Sequence, residues 1–394
     1  MYFYISDDIT TLCTLGCCAA CVLALGLVYL LATSRVAKFC RRSRSERPDK
    51  PDEDYLPASV VVYSQADSEN LAELLPALLG QNYPAPFEVI VVNEGESADV
   101  RDTVAALRAS HHNLYLTFTP DGAHNLSRKK LAITLGVKAA RYGVVVLTTS
   151  AAMIESPFWL QRMMRQFAEG SPVEVVLGFA YIDPAEDRNH GFRRRAFDYV
   201  ADSVRWLAPA INKHPFRGTE YNIAYTKDVF LRNKGFARTL NLHYGDDDIF
   251  ISEIANGGNT VVELSEDSAV RLRHGNHPRV FTERMIRRCF TESLIKRPIP
   301  FAAQISGWLQ ICALGTGIAA GITGYPNLLP ATIAAVLILG MWAMDIAVWR
   351  SAMTSLRSRK LLLTLPWFSA TYPLRRMWYR TKAKICKQKR YTWT

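Results

Sequence analysis

The sequence predicts an α/β domain with a mostly parallel central sheet, joined to about three transmembrane helices. Between residues 58 and 147, short β-branched segments alternate with segments whose apolar residues have helical spacing. This alternation is typical of a parallel sheet wrapped by helices. Uncharged residues are concentrated in two runs, 9–34 and 298–344. The first run is long enough for one membrane span and the second for two.

The alternation predicts individual elements of the domain. The first half contains predicted strands at 58–63, 87–92, 114–118 and 144–147, and predicted helices at 67–79, 100–109 and 127–141. The second half is less regular, with predicted strands at 173–180, 260–264 and 269–272, and predicted helices at 192–208 and 281–295. In parallel sheets ligands bind beyond the carboxyl ends of the strands. In the first half these ends are residues 64–67, 93–96, 120–122 and 148–152.

Charge predicts how the chain lies in a membrane. Residues 350–394 contain twelve Lys or Arg and no acidic residue, and residues 35–50 contain seven basic and two acidic residues. Because basic residues beside spans stay in the cytoplasm, we expect a multi-pass protein of the inner (cytoplasmic) membrane with its domain in the cytoplasm. Asp7 and Asp8 stand where a signal peptide has basic residues, which disfavours a cleaved leader.

The same charges predict partners and domain boundaries. Without its basic flanks the central domain is slightly acidic, which argues against nucleic acid, whereas the basic, aromatic tail is typical of contact with membrane lipids. The predicted division is a transmembrane helix (1–34), a basic linker (35–56), the α/β domain (57–297), a transmembrane hairpin (298–349) and a basic membrane-interfacial tail (350–394).

Three consecutive carboxylates, residues 246–248, follow Gly245 and precede an apolar segment. Adjacent acids repel one another and raise the pKa of at least one of them. Such a cluster is typical of a proton acceptor or of a cation site. The alternative is a helix N-terminus, where acids favour the positive end of the helix dipole.

An ordered series of motifs resembles the family 2 glycosyltransferases, which are inverting enzymes with a GT-A (nucleotide-diphospho-sugar transferase) fold. The resemblance covers roughly residues 57–295. The motifs are Asp-Ser-Glu-Asn-Leu (67–71), Leu-Gly-Gln-Asn-Tyr-Pro (79–84), Phe-Glu-Val-Ile-Val-Val-Asn-Glu-Gly (87–95), Phe-Arg-Gly-Thr-Glu-Tyr-Asn-Ile-Ala-Tyr (216–225), Lys-Gly-Phe (234–236) and Gly-Asp-Asp (245–247).

The resemblance implies a role for each matching position. Asp247 would be the catalytic base that takes the proton of the acceptor hydroxyl, and the adjacent Asp246 would keep it sufficiently basic through like-charge coupling. Asp67 and Glu94 would bind the ribose and base of a nucleotide-sugar donor, since a carboxylate accepts hydrogen bonds from both. The remaining implied positions are Thr149 and Ser150 on the donor side, and Gly218, Glu220 and Asn222 on the acceptor side.

The sequence departs from the family at its metal motif. After the fourth strand the family places Asp-X-Asp, which holds a divalent cation (Mg²⁺ or Mn²⁺) on the donor diphosphate, whereas this chain has Thr149 and Ser150. Hydroxyls replace charged oxygen ligands poorly. Three explanations remain open: a metal held elsewhere, with His274 or His277 as ligands; lost catalysis; or basic side chains that stabilise the diphosphate. The candidates for the last are Arg128, Lys129, Lys130, Arg217, Arg287 and Arg288.

Two functions follow as expectations. The first is a membrane-anchored glycosyltransferase that moves a sugar from a nucleotide-sugar to a lipid-linked or surface-glycan acceptor, in polysaccharide biosynthesis. The second is a noncatalytic domain that binds a nucleotide-sugar or scaffolds a glycan-assembly complex. The missing Asp-X-Asp favours the second function, and the Gly-Asp-Asp at 245–247 favours the first.

Overall fold

The computed structural model describes residues 8–45, 52–65, 68–120, 126–185, 190–295, 297 and 302–390. Contacts divide the chain into two units. The sheet unit comprises Phe39–Asn189, Pro209–Pro298 and Tyr379–Thr394, and the apolar unit comprises Met1–Lys38, His190–Ala208 and Ile299–Trp378.

Helices and strands alternate through the first half of the chain. The helices are α1 (Ile9–Leu31), α2 (Thr33–Ser45), α3 (Ser68–Leu79), α4 (Ala98–Arg108), α5 (Arg128–Ala139), α6 (Trp159–Met164), α7 (Phe192–Ile211), α8 (Lys227–Arg232), α9 (Ile249–Ile254), α10 (Pro278–Glu292), α11 (Ala302–Thr323), α12 (Leu329–Ser355) and α13 (Leu365–Arg390). The strands are β1 (Ala58–Ser64), β2 (Phe87–Asn93), β3 (Leu114–Phe118), β4 (Val144–Thr149), β5 (Ala152–Met153), β6 (Val175–Leu177), β7 (Ala180–Ile182), β8 (Ile223–Thr226), β9 (Thr260–Val262) and β10 (Val270–Leu272).

The main sheet of the sheet unit has the strand order β3-β2-β1-β4-β8-β6-β9. Strands β1 to β4 are mutually parallel where they pair, β8 is antiparallel to β4 and β6, and β9 is parallel to β6. All of β4 and nearly all of β1 is buried, which is why these strands are continuous β-branched runs. The prediction of a mixed α/β domain with a mostly parallel sheet is confirmed.

Register brings three strand ends together. Tyr63 of β1 pairs with Thr149 of β4, and Ser64 pairs with Asn93 of β2. Helix α5 packs tightly below this edge, since a Cβ on Gly136 would lie 2.5 Å from Val61. The carboxyl ends of β1, β2 and β4 therefore form one edge, as the alternation predicted.

The predicted strand at 173–180 is wrong in one respect, because it is two strands in two sheets. Strand β6 lies in the main sheet, and β7 joins a small sheet of order β5-β10-β7. The chain changes sheets at Gly178, where a Cβ would meet the side chain of Asn222 at 2.5 Å. The same side chain donates to the carbonyl of Phe179 at 3.0 Å. Only glycine allows this close approach, and no local sequence pattern shows it.

Among the described residues, three helices are long and apolar enough to cross a membrane: Ile9–Arg44, Ile305–Thr323 and Leu329–Ser355. The last two and most of the first belong to the apolar unit. Buried polar groups join them. Tyr29 donates its hydroxyl to Asp345, which also accepts from Gln310 Nε2 at 2.6 Å. Residues His190–Ala208, most of α7, also belong to this unit.

Two basic segments, predicted from their charge as a linker and as a tail, contain long helical stretches. The predicted linker 35–56 begins as helix α2, because Val36, Ala37, Cys40 and Ser43 share one buried helical face. The basic tail contains α13, and Trp367 and Trp378 on it are 70% and 49% exposed.

Candidate active site

The candidate active site lies in the sheet unit, around the loop that carries the three carboxylates. Gly245 begins this loop at φ +102°, and a Cβ there would lie 2.6 Å from the side chain of Ile249. Glycine is therefore required, because side chains rarely adopt this backbone conformation. The turn directs the chain into α9, whose cap residue is Asp248.

Hydrogen bonds from Gly218 and Lys130 help to hold the loop in place. The backbone N–H of Gly218 donates to the carbonyl of Asp247 at 3.0 Å. Lys130 Nζ donates to the carbonyls of Thr239 and Tyr244, at 2.7 and 2.9 Å. The Lys130 side chain is fully buried, and burial lowers its pKa to about 8. Lys130 therefore supports the loop from inside the protein and does not line the cavity described below.

Asp248 points into the protein. It accepts from the hydroxyl of Thr291 on α10, and Arg217 Nε lies 3.4 Å from its other oxygen. Its side chain makes no capping hydrogen bond to α9. The helix-terminus interpretation therefore explains where Asp248 lies along the chain, but not what its carboxylate does, which is to tie the loop to α10.

Lys129, Glu220 and Asp246 form a compact ion cluster. Lys129 Nζ lies 2.7 Å from Asp246 Oδ2 and also contacts Glu220. Burial would lower the pKa of Lys129, but Asp246, Glu220 and Asp247 together raise it well above its ordinary value. Burial would likewise raise the pKa of Glu220, but Lys129 lowers it to about 2. Lys129 and Glu220 are therefore both charged at neutral pH.

The pKa of Asp247 is shifted in the opposite direction from that of Glu220. Burial, together with the charges of Asp248, Asp246 and Glu220, raises its pKa well above the ordinary value, and Lys129 only partly opposes this. Its side chain is half-buried and borders the cavity described next. A carboxylate with a raised pKa is a stronger proton acceptor than an exposed one.

A cavity of about 170 Å³ opens beside these carboxylates. Its other wall is α10, which contributes a row of residues at helical spacing. The lining residues are Glu220, Tyr221, Tyr244, Gly245, Asp246, Asp247, Asp248, Val280, Glu283, Arg284, Arg287, Arg288 and Thr291. The Arg287 guanidinium stacks on Tyr244 at 4.1 Å from the ring centroid. Sequence reasoning missed Tyr221, Tyr244 and Arg284. The 284, 287, 288, 291 spacing is the signal that could have placed Arg284 on the cavity-facing side of α10.

The predicted donor-side residues are partly visible at the sheet edge. Glu94 accepts from the hydroxyl of Tyr63, which brings the ends of β1 and β2 together. Thr149 and Ser150 are buried at the end of β4. The Thr149 hydroxyl has no hydrogen-bond partner among the described residues. Asp67 lies outside the described residues.

The three predicted acceptor-side residues have different environments. Glu220 lines the cavity. Gly218 is a packing position, since a Cβ there would lie 2.8 Å from Ile223. Asn222 is fully buried, accepts from Trp159 Nε1 at 3.1 Å and donates to the carbonyls of Phe179 and Ser268. Its amide therefore holds the two sheets together, which is a structural role, and its acceptor-side role stays a prediction.

The residues at this edge do not fit a divalent cation. Thr149 and Ser150 offer hydroxyls where the resemblance expects carboxylates, and Asp246 and Glu220 are already paired with Lys129. His274, the candidate ligand, is exposed at φ +48°. Within the described ranges, no group of three or more His, Cys, Asp or Glu side chains has an arrangement that could hold a metal ion.

Comparison with known proteins identifies the fold. No protein-family model matches the chain, and no curated protein matches its sequence. Among solved structures, the mannosyltransferase PcManGT from Pyrobaculum calidifontis, in complex with GDP-Man and Mn²⁺, has a TM-score of 0.54 and 17% identity, covering 92% of this chain and 99% of that chain.

Two further solved structures resemble the chain more weakly. S. aureus TarS 1-349 in complex with UDP-GlcNAc has a TM-score of 0.41 and 16% identity, covering 84% of this chain and 92% of its own. Glucosyl-3-phosphoglycerate synthase from Mycobacterium tuberculosis has a TM-score of 0.38 and 11% identity, covering 68% of this chain and 86% of its own. The fold assignment therefore rests on the mannosyltransferase, and the chain shares its fold with this solved glycosyltransferase.

Proposed function

We propose that this protein is a membrane-anchored, inverting glycosyltransferase of the family 2 type with a GT-A fold. It would transfer a sugar from a nucleotide-sugar donor to a lipid-linked or surface-glycan acceptor. The observation that carries the proposal is Asp247, a half-buried carboxyl group with a raised pKa that borders a cavity beside the carboxyl edge of a parallel sheet. The shared fold of a solved mannosyltransferase supports the reaction class.

In the proposed reaction, Asp247 takes the proton of the acceptor hydroxyl while that oxygen attacks the anomeric carbon. The bond from the anomeric carbon to the donor diphosphate breaks on the opposite face, and its electron pair leaves with the nucleoside diphosphate. Asp246 and Asp248 are already held by partners, which leaves Asp247 as the basic carboxylate of the loop. Burial, together with their charges, raises the pKa of Asp247 and thereby strengthens it as a base.

The donor would bind at the carboxyl edge of the sheet. Asp67 and Glu94 would bind ribose and base, and Thr149 and Ser150 would lie toward the diphosphate. The register that brings β1, β2 and β4 to one edge supports this arrangement. The unpartnered Thr149 hydroxyl is a hydrogen-bond donor suited to a phosphate oxygen.

Membrane anchoring supports an acceptor that is itself at the membrane. In the part of the chain that the structure describes, three helices are long and apolar enough to span a bilayer, and basic stretches lie beside them in the sequence. The positive-inside rule then places the catalytic domain in the cytoplasm, where nucleotide-sugars are available. A lipid-linked glycan precursor, as used in polysaccharide biosynthesis, meets both conditions.

Asp247→Asn tests the proposed base. Nucleoside diphosphate release is measured from the detergent-purified full chain with UDP-glucose, UDP-GlcNAc and GDP-mannose, in the presence of a membrane lipid extract. Removing a general base costs about 10²–10⁴-fold in rate, so we expect a loss in that range with donor binding retained. Asp228→Asn is the matched control, because Asp228 is 77% exposed on α8.

The pH profile gives a second measurement on the same samples. The base works only when it is deprotonated, so a raised pKa moves the acid limb of the wild-type profile above the pH at which an exposed Asp titrates. Full activity in Asp247→Asn would refute the assignment of the base. An acid limb near pH 4 in the wild type would refute its raised pKa.

A noncatalytic nucleotide-sugar-binding or scaffolding domain is the second candidate. Thr149 and Ser150, in place of the carboxylates of the family's metal motif, favour it. The two candidates separate in the same assay. Donor binding without turnover in the wild type, with acceptor lipid present, would support the binding protein, whereas turnover excludes it.

A further inference from the structure

We propose that Lys129 is a built-in cation that takes the place of a divalent metal ion on the donor diphosphate, so that sugar transfer by this protein does not require metal. The inference rests on the proposed function and concerns how the same site stabilises its leaving group.

The position of Lys129 supports this role. Lys129 lies in the first turn of α5, and its ammonium group lies 5.7 Å from the ring centroid of Tyr63 near the end of β1. With Tyr63 and Thr149 it lines a small pocket at the carboxyl edge of the sheet. Thr149 is the residue at which the resemblance places the metal motif, so the ammonium group lies beside the position that a bound cation would occupy.

The two partners of Lys129 are carboxylates, which are the ligand type that a divalent metal ion binds. Glu220 and Asp246 both contact its ammonium group, so the cation joins two carboxylates that come from different segments of the chain. Lysine offers three N–H donors, and the third remains for a phosphate oxygen. The side chains of Lys129 and Asp246 are 14% and 6% exposed, and at such burial screening by water is weak.

A divalent cation would have to displace Lys129 to reach these oxygens. Glu220 and Asp246 hold Lys129 protonated, so the ammonium group would repel a metal ion that enters. The alternative ligand, His274, is exposed. This separates Lys129 from two of the other basic candidates, because Lys130 donates to backbone carbonyls and Arg217 lies against Asp248.

Lys129 would act by electrostatic stabilisation of the leaving group. As the bond from the anomeric carbon to the diphosphate breaks, the leaving oxygen gains negative charge, and a fixed positive charge in a dry site lowers the energy of that transition state. Lys129 keeps its proton throughout, since the proton of the acceptor passes to Asp247. Loss of one such group costs about 10²–10³-fold in the rate of the chemical step.

The first test measures Mn²⁺ alone, without turnover. The full chain in detergent is stripped with EDTA, and Mn²⁺ binding is followed by electron paramagnetic resonance together with the melting temperature. We expect the wild type to bind no stoichiometric Mn²⁺ and to keep its melting temperature. In Lys129→Ala, Glu220 and Asp246 lose their cation, so we expect Mn²⁺ to raise the melting temperature. Lys138→Ala, at an exposed position of the same helix, is the control and should behave as the wild type.

The second test measures nucleoside diphosphate release from UDP-glucose, UDP-GlcNAc and GDP-mannose, with EDTA and then with Mn²⁺. We expect wild-type release to persist in EDTA. We expect Lys129→Met, which keeps the length of the side chain without its charge, to lose about 10²–10³-fold in both conditions, while Lys138→Met retains its rate.

The outcomes separate this inference from the proposed function. Stoichiometric Mn²⁺ binding by the wild type that is lost in Asp246→Asn would overturn the inference, as would release that EDTA abolishes. If Lys129→Ala gained no Mn²⁺ response, the carboxylates would not form a cation site, and the inference would also fail. Absence of release from every donor would count against the proposed function, and the Mn²⁺ measurements on the wild type would still decide the inference.

Discussion

Lys130→Met should change the pH dependence of stability in a way that follows from the burial of this lysine. The Lys130 ammonium group is fully buried, and its pKa falls from 10.5 to about 8. Each pKa unit corresponds to about 1.4 kcal/mol, so holding the proton in the folded state costs about 3 kcal/mol at neutral pH. This cost is fully present below pH 8, where both folded and unfolded states are protonated. It is relieved as the pH rises from 8 to 10.5, where the folded state releases its proton first.

The melting temperature of the wild type should therefore rise relative to that of Lys130→Met between pH 7 and pH 10. The relief over this interval is about 2–3 kcal/mol by linkage. With about 2 °C per kcal/mol for a unit of this size, the difference between the two proteins should change by roughly 5 °C.

The comparison is made by differential scanning fluorimetry of the full chain in detergent at several pH values. Taking the difference removes the titration of tyrosines and of exposed lysines, which both proteins share. Lys138→Met, with an exposed lysine on the same helix, should keep a constant difference from the wild type across the range. A constant difference between the wild type and Lys130→Met would refute the reasoning, because a buried ammonium group with a lowered pKa must titrate in this window.

Two further substitutions test the architecture of the site. Gly245→Ala should lower the melting temperature and the transfer rate together, because φ is +102° and the new Cβ would meet Ile249 at 2.6 Å; strain of this kind costs about 1–3 kcal/mol. Gly143→Ala is the control, since a Cβ there meets nothing within 4 Å, and an equal loss in both would contradict the strain argument. Asn222→Ala should destabilise the fold by about 2–4 kcal/mol, because it leaves a buried indole N–H and two buried carbonyls with fewer partners. Chemical denaturation measures this, and an unchanged midpoint with weakened acceptor use would instead favour the acceptor-binding role.

The selection of Lys129 among six basic candidates shows where sequence reasoning reached its limit. All six are basic side chains, so the sequence does not distinguish them, and only their places in the folded structure do. Lys129 and Lys130 are neighbours on α5, yet one contacts two carboxylates and the other two backbone carbonyls. A helix turns by about 100° per residue, so adjacent side chains face different surroundings, and the partners that distinguish them come from residues about a hundred positions away.

Periodicity and charge along the chain determined the elements of the first half, the parallel sheet with its carboxyl edge, and the three apolar helices. These features follow from patterns of two to four residues and from long uncharged runs, which are local properties of a chain. Tertiary packing decided the surroundings of the three adjacent carboxylates: Asp246 pairs with Lys129, Asp247 borders the cavity, and Asp248 is tied to Thr291. Residues adjacent in sequence receive different partners because burial and electrostatic contact depend on what the folded chain brings near them.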